Sequence, residues 1–324
     1  MSTVSEKLVI GFDLGGTKMA AGLIDGRLNL IDSVQTRTPT ESQNNLLAGI
    51  AAMVKDLASR APSPVAAIGF GIPSMIDQKR GRAVMSVNVP LADFDFVDYF
   101  RRELELPVFI DNDANLAALA EVRAGAAKGV SEVIMITMGT GIGGGIIVNG
   151  KVYRGSVGSA AELGHMVIDV NGPKCQGSCE NYGCFETLAS GTAMHRYAHE
   201  AAGQYSDSAL AKAKAAGEKL DGSLLSRLAL ENDAAALSVF EKIGFYTGVG
   251  ITSLVNIFNP EVFVVGGGLI KAGELILGPA REFLLKRGLK PNRDVVRIVP
   301  AHFGVEAGMF GAACLAFDGL EGRL

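Results

Sequence analysis

Cysteine is scarce in this chain. Four occur in 324 residues, and three of them, Cys175, Cys179 and Cys184, fall within ten positions. Three clustered thiols leave one over in any disulfide scheme, and the fourth, Cys314, sits in an apolar helical pattern where it reads as a small core residue. No Lys/Arg run occurs and the net charge is −4, so nucleic-acid binding has no electrostatic support. No apolar run approaches the ~18 residues of a membrane span. The opening MSTVSEKLVIGFD lacks the apolar core of a secretory signal. A cytoplasmic protein is expected, and in a reducing compartment clustered cysteines bind metal or act in catalysis more often than they pair. The GxxxxGK[ST] phosphate loop is also missing.

Glycine is plentiful, at 41 residues, and much of it is clustered. The length fits two domains, and 48% apolar with 20% charged residues is the balance of a folded soluble protein. Apolar runs at 8–12 and 19–24 are joined through Asp13-Leu14-Gly15-Gly16-Thr17-Lys18, and Asp25-Gly26 signals a hairpin into a third strand at 28–35. Thr40 and Gln43 form a candidate capping box for a helix reaching about Arg60. A strand at 65–71, a helix at 94–104, a strand at 107–111 and a helix at 114–125 follow. The stretch 133–138 then begins the pattern again. When Asp25-Gly26 is laid on Asn149-Gly150, Gly15 falls on Gly139, which suggests two related α/β halves. A long helix at 234–258 places Leu237, Phe240, Ile243, Ile251, Leu254 and Phe258 near one face, and Asn259-Pro260 ends it. A strand at 261–265 leads into Gly266-Gly267-Gly268, and a final apolar helix spans 308–317. The stretch 204–222 reads as a surface segment. Alternating strands and helices make an α/β protein.

Three glycine loops therefore follow strands, and each can bring backbone N–H groups against an anion. Tight turns are the plain alternative for any single loop. Gly139-Thr140-Gly141-Ile142-Gly143-Gly144 spells the dinucleotide fingerprint, but a strand and turn follow it where that fingerprint needs a helix, and the acid expected ~20 residues on is missing. A phosphate-binding hairpin is the better local reading. Asp13 beside Gly15, Gly16 and Thr17 can hold Mg²⁺ through water or cap the turn. Asp111-Asn112-Asp113 takes an apolar strand into a helix. One of these residues can be an N-cap, but an amide and a carboxylate at a strand end also suit a sugar hydroxyl.

Taken in order, Asp13-Leu14-Gly15-Gly16-Thr17-Lys18, Asn112-Asp113-Ala114-Asn115, Gly139 to Gly144, Glu162-Leu163-Gly164-His165, Cys184-Phe185-Glu186 and Gly266-Gly267-Gly268 resemble the ROK family (repressors, open reading frames, kinases), most closely its bacterial glucokinases. The resemblance covers essentially the whole chain. It implies an actin-like ATPase (ribonuclease H-like) fold, two α/β domains with the active site in the cleft between them. Residues 1–117, with 306–324 returning, would form one domain and 118–305 the other. It implies that Asp13, Gly15, Gly16, Thr17 and Lys18 face phosphate and Mg²⁺, that Gly139, Thr140 and Gly141 form a second phosphate loop, and that Gly267 and Gly268 lie on the nucleotide side. Asn112, Asp113, Glu162, His165 and Glu186 become hexose contacts, with Asp113 as base, and Gly71 and Asn88 line the sugar pocket. His165 becomes the fourth ligand of a structural Zn²⁺ with Cys175, Cys179 and Cys184. The spacing C-x₃-C-x₄-C departs from the commoner C-x-C-x₄-C, which puts the local loop geometry in question.

The implied activity is ATP-dependent phosphorylation of a hexose at the 6-hydroxyl, with glucose first. N-acetylmannosamine, N-acetylglucosamine, fructose and allose are alternative sugars, and polyphosphate is an alternative donor. A homodimer or tetramer is implied, with no nucleic acid or membrane partner. A sugar-responsive repressor is the rival within the family; those carry an N-terminal helix-turn-helix, for which a first strand at about Leu8 leaves no room. A nicotinamide dehydrogenase using Gly139 to Gly144 is the rival outside it.

Overall fold

Alternation along the first strand decides how the first layer is built. In β1 (Leu8–Leu14), Leu8, Ile10, Phe12 and Leu14 join one core cluster, while Val9, Gly11 and Asp13 face the other way. The computed structural model describes residues 7–86, 89–177 and 179–324. It pairs β1 antiparallel with β2 (Lys18–Asp25) and parallel with β4 (Val65–Ile72), and β3 (Leu30–Arg37) lies beyond β2. β5 (Ser74–Asp77), β6 (Arg82–Ser86) and β7 (Ala92–Phe94) form a separate antiparallel sheet. With β8 (Val108–Asn112) the first sheet runs β3-β2-β1-β4-β8.

On one face lie α1 (Gln43–Ser59) and α2 (Phe96–Leu104). There Phe12, Phe70, Phe96 and Phe100 pack with ring centroids 4.6–5.2 Å apart. On the other lie α3 (Asp113–Ala124) and the last helix of the chain, Ala307–Leu320. That helix approaches so closely that side chains are excluded. A Cβ on Gly11 would lie 2.1 Å from Met309 O, one on Gly69 1.8 Å from Ala312 O, and one on Gly311 1.9 Å from Leu116 O in α3.

The chain divides into two compact units, Met1–Ser131 with Gly145–Ala161 and His302–Leu324, and Glu132–Gly144 with Glu162–Ala301. In the first unit Glu121 of α3 is fully buried. Its Oε1 accepts N–H from His302 (2.8 Å) and Phe303 (3.0 Å), and its Oε2 accepts from Ala126 (2.7 Å). Glu121→Ala leaves three part-buried backbone donors without this carboxylate and is expected to lower unfolding stability by about 3 kcal/mol. Urea unfolding followed by circular dichroism measures this; a midpoint equal to wild type would remove Glu121 as the clasp.

The second sheet repeats the first. β9 (Val133–Met138), β10 (Ile142–Val148), β11 (Lys151–Val152), β12 (Val262–Gly266) and β13 (Arg297–Pro300) lie in the order β11-β10-β9-β12-β13, with β12 parallel to both neighbours. Adding 124 to the bounds of β1 and β2 gives 132–138 and 142–149, against 133–138 and 142–148 observed. The hairpin ends differ. Asn149 (φ 51°) and Gly150 (φ 73°) make a two-residue turn with both residues left-handed. The expected Asp25-Gly26 turn is instead a longer loop. The Asp25 carboxylate accepts N–H from Arg27 (2.9 Å) and Asn29 (2.8 Å), Leu28 takes the left-handed position (φ 63°), and β3 starts at Leu30.

The helices of the second unit are α4 (Phe185–Ala189), α5 (Gly191–Gln204), α6 (Ala209–Ala215), α7 (Gly222–Leu230), α8 (Ala234–Phe258), α9 (Glu274–Arg287) and α10 (Asn292–Val295); Ala307–Leu320 in the first unit is α11. Several sequence expectations are corrected. Ser42, not Thr40, caps α1, its hydroxyl accepting Asn45 N–H at 3.1 Å. The stretch 204–222 contains α6, which Ser208 caps in the same way. Ile142, Gly143 and Gly144 are strand residues rather than loop. Leu237, in the first turn of α8 at the edge of its apolar stripe, is 36% exposed. Among the described residues no helix is long and apolar enough to cross a membrane.

Candidate active site and metal centre

In the first unit the parallel strands β1, β4 and β8 all end at one edge, where open α/β sheets bind ligands. Asp13 pairs across the sheet with Gly71, and Gly71 with Asp111. The alternation that turns Asp13 away from Phe12 places its carboxylate against α11, 2.5 Å from where a Cβ on Gly308 would sit. Burial, then the negative charge of Asp113, push the Asp13 carboxyl up to about 7 against the opposing pull of Lys18. Gly15 N–H donates to Lys18 O (3.0 Å), and Thr38 fastens the loop through its N–H to Thr17 O (3.0 Å) and its hydroxyl to Gly15 O (2.7 Å). Lys18 reaches Gln35 Oε1 at 3.3 Å.

The three polar residues at the junction of β8 and α3 have separate tasks. Asn112 is the N-cap of α3, its Oδ1 accepting N–H from Ala114 (2.9 Å) and Asn115 (3.3 Å). Asp111 is buried and engaged by Arg154, Asn115 and the Asn112 N–H. Asp113 opens the helix, with Oδ1 accepting Ala114 N–H at 2.9 Å. Burial raises its pKa despite that hydrogen bond. Because the cap is supplied by Asn112, Asp113 is not consumed by helix termination. Gly71 lies beside it, a Cβ there falling 3.7 Å from Asp113 Cα.

In the second unit Cys175, Cys179, Cys184 and His165 converge, each offering one donor atom and all four atoms within 4.8 Å of one another. Tetrahedral zinc with Zn–S near 2.3 Å sets its ligand atoms about 3.8 Å apart, so a small contraction suffices. Burial and neighbouring acidic groups push the Cys175 and Cys184 thiols up. Two such thiols give up their protons together only with a cation among them, and three Cys with one His is a set that structural zinc takes. His165 Nδ1 lies 3.6 Å from Cys175 Sγ. Cys184 precedes α4, whose Phe185 ring fills the notch left by Gly250 in α8. Glu186 follows. It accepts from Cys175 Sγ at 3.2 Å and Ile142 N–H at 3.4 Å, and a Cβ on Gly141 would lie 2.4 Å from its Oε2. The second glycine loop and the cysteine loop are thus joined through one carboxylate. Glu162 directly precedes the short helical turn Leu163–His165.

The third glycine loop borders a cavity of about 1030 Å³ shared with Gly139, Thr140, Thr192, His195, Lys271 and the stretch from Lys219 to Ser223. Gly268 lines it. Gly267 (φ 86°) makes the turn after β12, where a Cβ would strike Met138 backbone. Thr192 hydroxyl donates to Thr140 O at 2.8 Å. Sequence reasoning found Gly139, Thr140 and Gly268 but missed Thr192, His195 and Lys219 to Ser223, which carry no local motif. Asn88 lies outside the described residues.

A sequence profile described as ROK family matches residues 9–318. The chain is 34% identical over 313 residues to a glucokinase of Streptomyces coelicolor, spanning 95% of this chain and 97% of the relative. It is 35% identical over 317 residues to a glucokinase of Halalkalibacterium halodurans, spanning 96% of each. Among solved structures it is similar to a ROK family glucokinase from Streptomyces griseus, in complex with glucose and AMPPNP. The TM-score is 0.81 and the identity 35%, over 95% of this chain and 99% of that one.

Proposed function

The chain belongs to the ROK family, with its actin-like ATPase fold, and we propose that it is a glucokinase-type enzyme transferring the γ-phosphoryl group of ATP to the 6-hydroxyl of a hexose, glucose first. The observation that carries this reading is the division of labour where β8 meets α3. Asn112 terminates the helix, Asp111 is held internally, and Asp113 is left with a carboxylate oxygen for substrate. In that role Asn112 orients the sugar hydroxyl and Asp113 takes its proton late in transfer.

The remaining assignments are proposals of the same kind. Gly16 and Thr17 would present backbone N–H groups to phosphate, Gly15 would shape the turn through its own N–H to Lys18 O, and Lys18 would add positive charge nearby. Gly139, Thr140 and Gly141 would form the second phosphate loop, and Gly267 and Gly268 with the adjoining cavity would take the nucleoside. Glu162, His165 and Glu186 would contact the hexose, with Gly71 and Asn88 lining its pocket. Asp13 is the residue fitted to Mg²⁺, since a cation offsets both the burial and the Asp113 repulsion that raise its pKa. When bound, Mg²⁺ neutralises phosphate charge. Zn²⁺ held by His165, Cys175, Cys179 and Cys184 would be structural, its four positions filled by protein. The free thiols suit a cytoplasmic enzyme, and a homodimer rests on the resemblance alone.

A coupled ADP-release assay over glucose, N-acetylmannosamine, N-acetylglucosamine, fructose and allose, with ATP or polyphosphate, tests the reading. Glucose with ATP and Mg²⁺ should give the highest kcat/KM. Release that no sugar stimulates would refute the kinase; a different leading sugar would replace glucose.

A further inference from the structure

Asp111 is 1% exposed and has four donors on its two oxygens. Oδ2 accepts from Arg154 Nε and Nη2, both at 2.7 Å, and Oδ1 accepts from Asn112 N–H at 2.7 Å and Asn115 Nδ2 at 3.1 Å. This carboxylate is used up internally. The two Oδ1 donors are the N–H of Asn112, the residue before Asp113, and a side chain in the first turn of α3. Whatever fixes Asp111 therefore fixes the frame on which Asp113 is mounted.

We propose that Arg154 is a positioning residue for phosphoryl transfer, holding the Asn112–Asp113 turn in register through Asp111; this rests on the kinase reading above. A buried ion pair is a poor stability device, since apolar replacements are often neutral or better. It is a good geometric one, because the planar guanidinium fork sets both distance and plane. Arg154 is itself fastened. It follows β11, and its carbonyl accepts Ala160 N–H at 3.2 Å, closing the loop that runs in sequence into Glu162. One side chain thus links the segment leading to a proposed hexose contact with the turn carrying the proposed base. Arg154 also borders a cavity of about 580 Å³ lined by Gln78, Lys79, Arg101 and Phe109, so a small cation can reach its position from solvent.

The test is steady-state kinetics of Arg154→Met, Arg154→Lys and Arg154→Ala, varying hexose and ATP separately. Misplacing a reacting group by about 1 Å can cost a hundredfold. On that scale Arg154→Met should lower kcat about 30-fold and raise hexose KM about threefold, with ATP KM unchanged. Arg154→Lys, which keeps charge but loses the fork, should still lose at least about fivefold in kcat. Millimolar guanidinium should restore part of the kcat of Arg154→Ala, and equal sodium should not. A merely structural role would lower the active fraction, leave both KM values alone and give no rescue, and that result overturns the proposal. If Arg154→Met fails to fold, wild-type kinetics in Arg154→Lys overturn it equally. An inactive wild type defeats the kinase reading and this proposal together, whereas an active wild type with unaffected variants defeats only this one.

Discussion

Asp113→Asn is expected to lower kcat by about a thousandfold, the scale of a lost general base, while fold and hexose binding persist. Asparagine keeps an oxygen for the Ala114 N–H now accepted at 2.9 Å, and Asn112 continues to cap α3. Only the basic carboxylate disappears. Asp113→Ala should behave alike and guards against deamidation back to aspartate. The pH profile carries a second signature. Burial raises the Asp113 pKa against the opposing pull of the Ala114 N–H. A base works only when ionised. The wild-type kcat should therefore fall as pH drops through a value above the ~3.9 of a free aspartate. The residual rate of Asp113→Asn should lack that fall. A kcat within tenfold of wild type in both variants would reject Asp113 as the base.

Metal removal is expected to have the next largest effect. A chelator, or Cys184→Ala, should raise hexose KM about tenfold or more while altering kcat less, if the cluster holds the proposed hexose contacts and not the proposed base. Structural zinc contributes on the order of 10 kcal/mol in small zinc-binding peptides. Here the loss should stay local, since Phe185 remains seated against Gly250 in α8. His165 closes the turn after Glu162, and Cys184 starts the helix holding Glu186. Without the ion those two segments lose their common anchor. Metal content, hexose KM and amide exchange across residues 165–184 should change together. Full activity in a verified metal-free sample ends the argument.

How much of this could be read in advance depended on how local the cause was. The long helix matched at both ends, since Asp233 caps it and Asn259-Pro260 stops it within the same stretch. The repeat of strand, glycine loop and strand was legible because it is a spacing, whereas the turns that close the two copies differ. The cysteine cluster was legible by composition, though the hold of Glu186 on Gly141 and Ile142 depends on residues more than forty positions away. The sheet of β5, β6 and β7 has no such signature, because its strands are three to five residues long with little apolar alternation. Lys219 to Ser223 looked like surface because nothing beside them announces a cavity wall. Arg154 was invisible as a single arginine; its meaning lies in a carboxylate 43 residues earlier.

The seat of α11 has a further consequence. Gly11, Gly69, Gly308 and Gly311 act as bearings rather than hinges: the first three fix how near the helix lies to the sheet and to the Asp13 carboxylate, and Gly311 fixes how near it lies to α3. A methyl group at any of them would have to lift the helix, and the lift would be felt at Asp13. In a survey of tolerated substitutions these four positions would look like substrate contacts. They are clearances, and what they set is the distance between a helix and its neighbours.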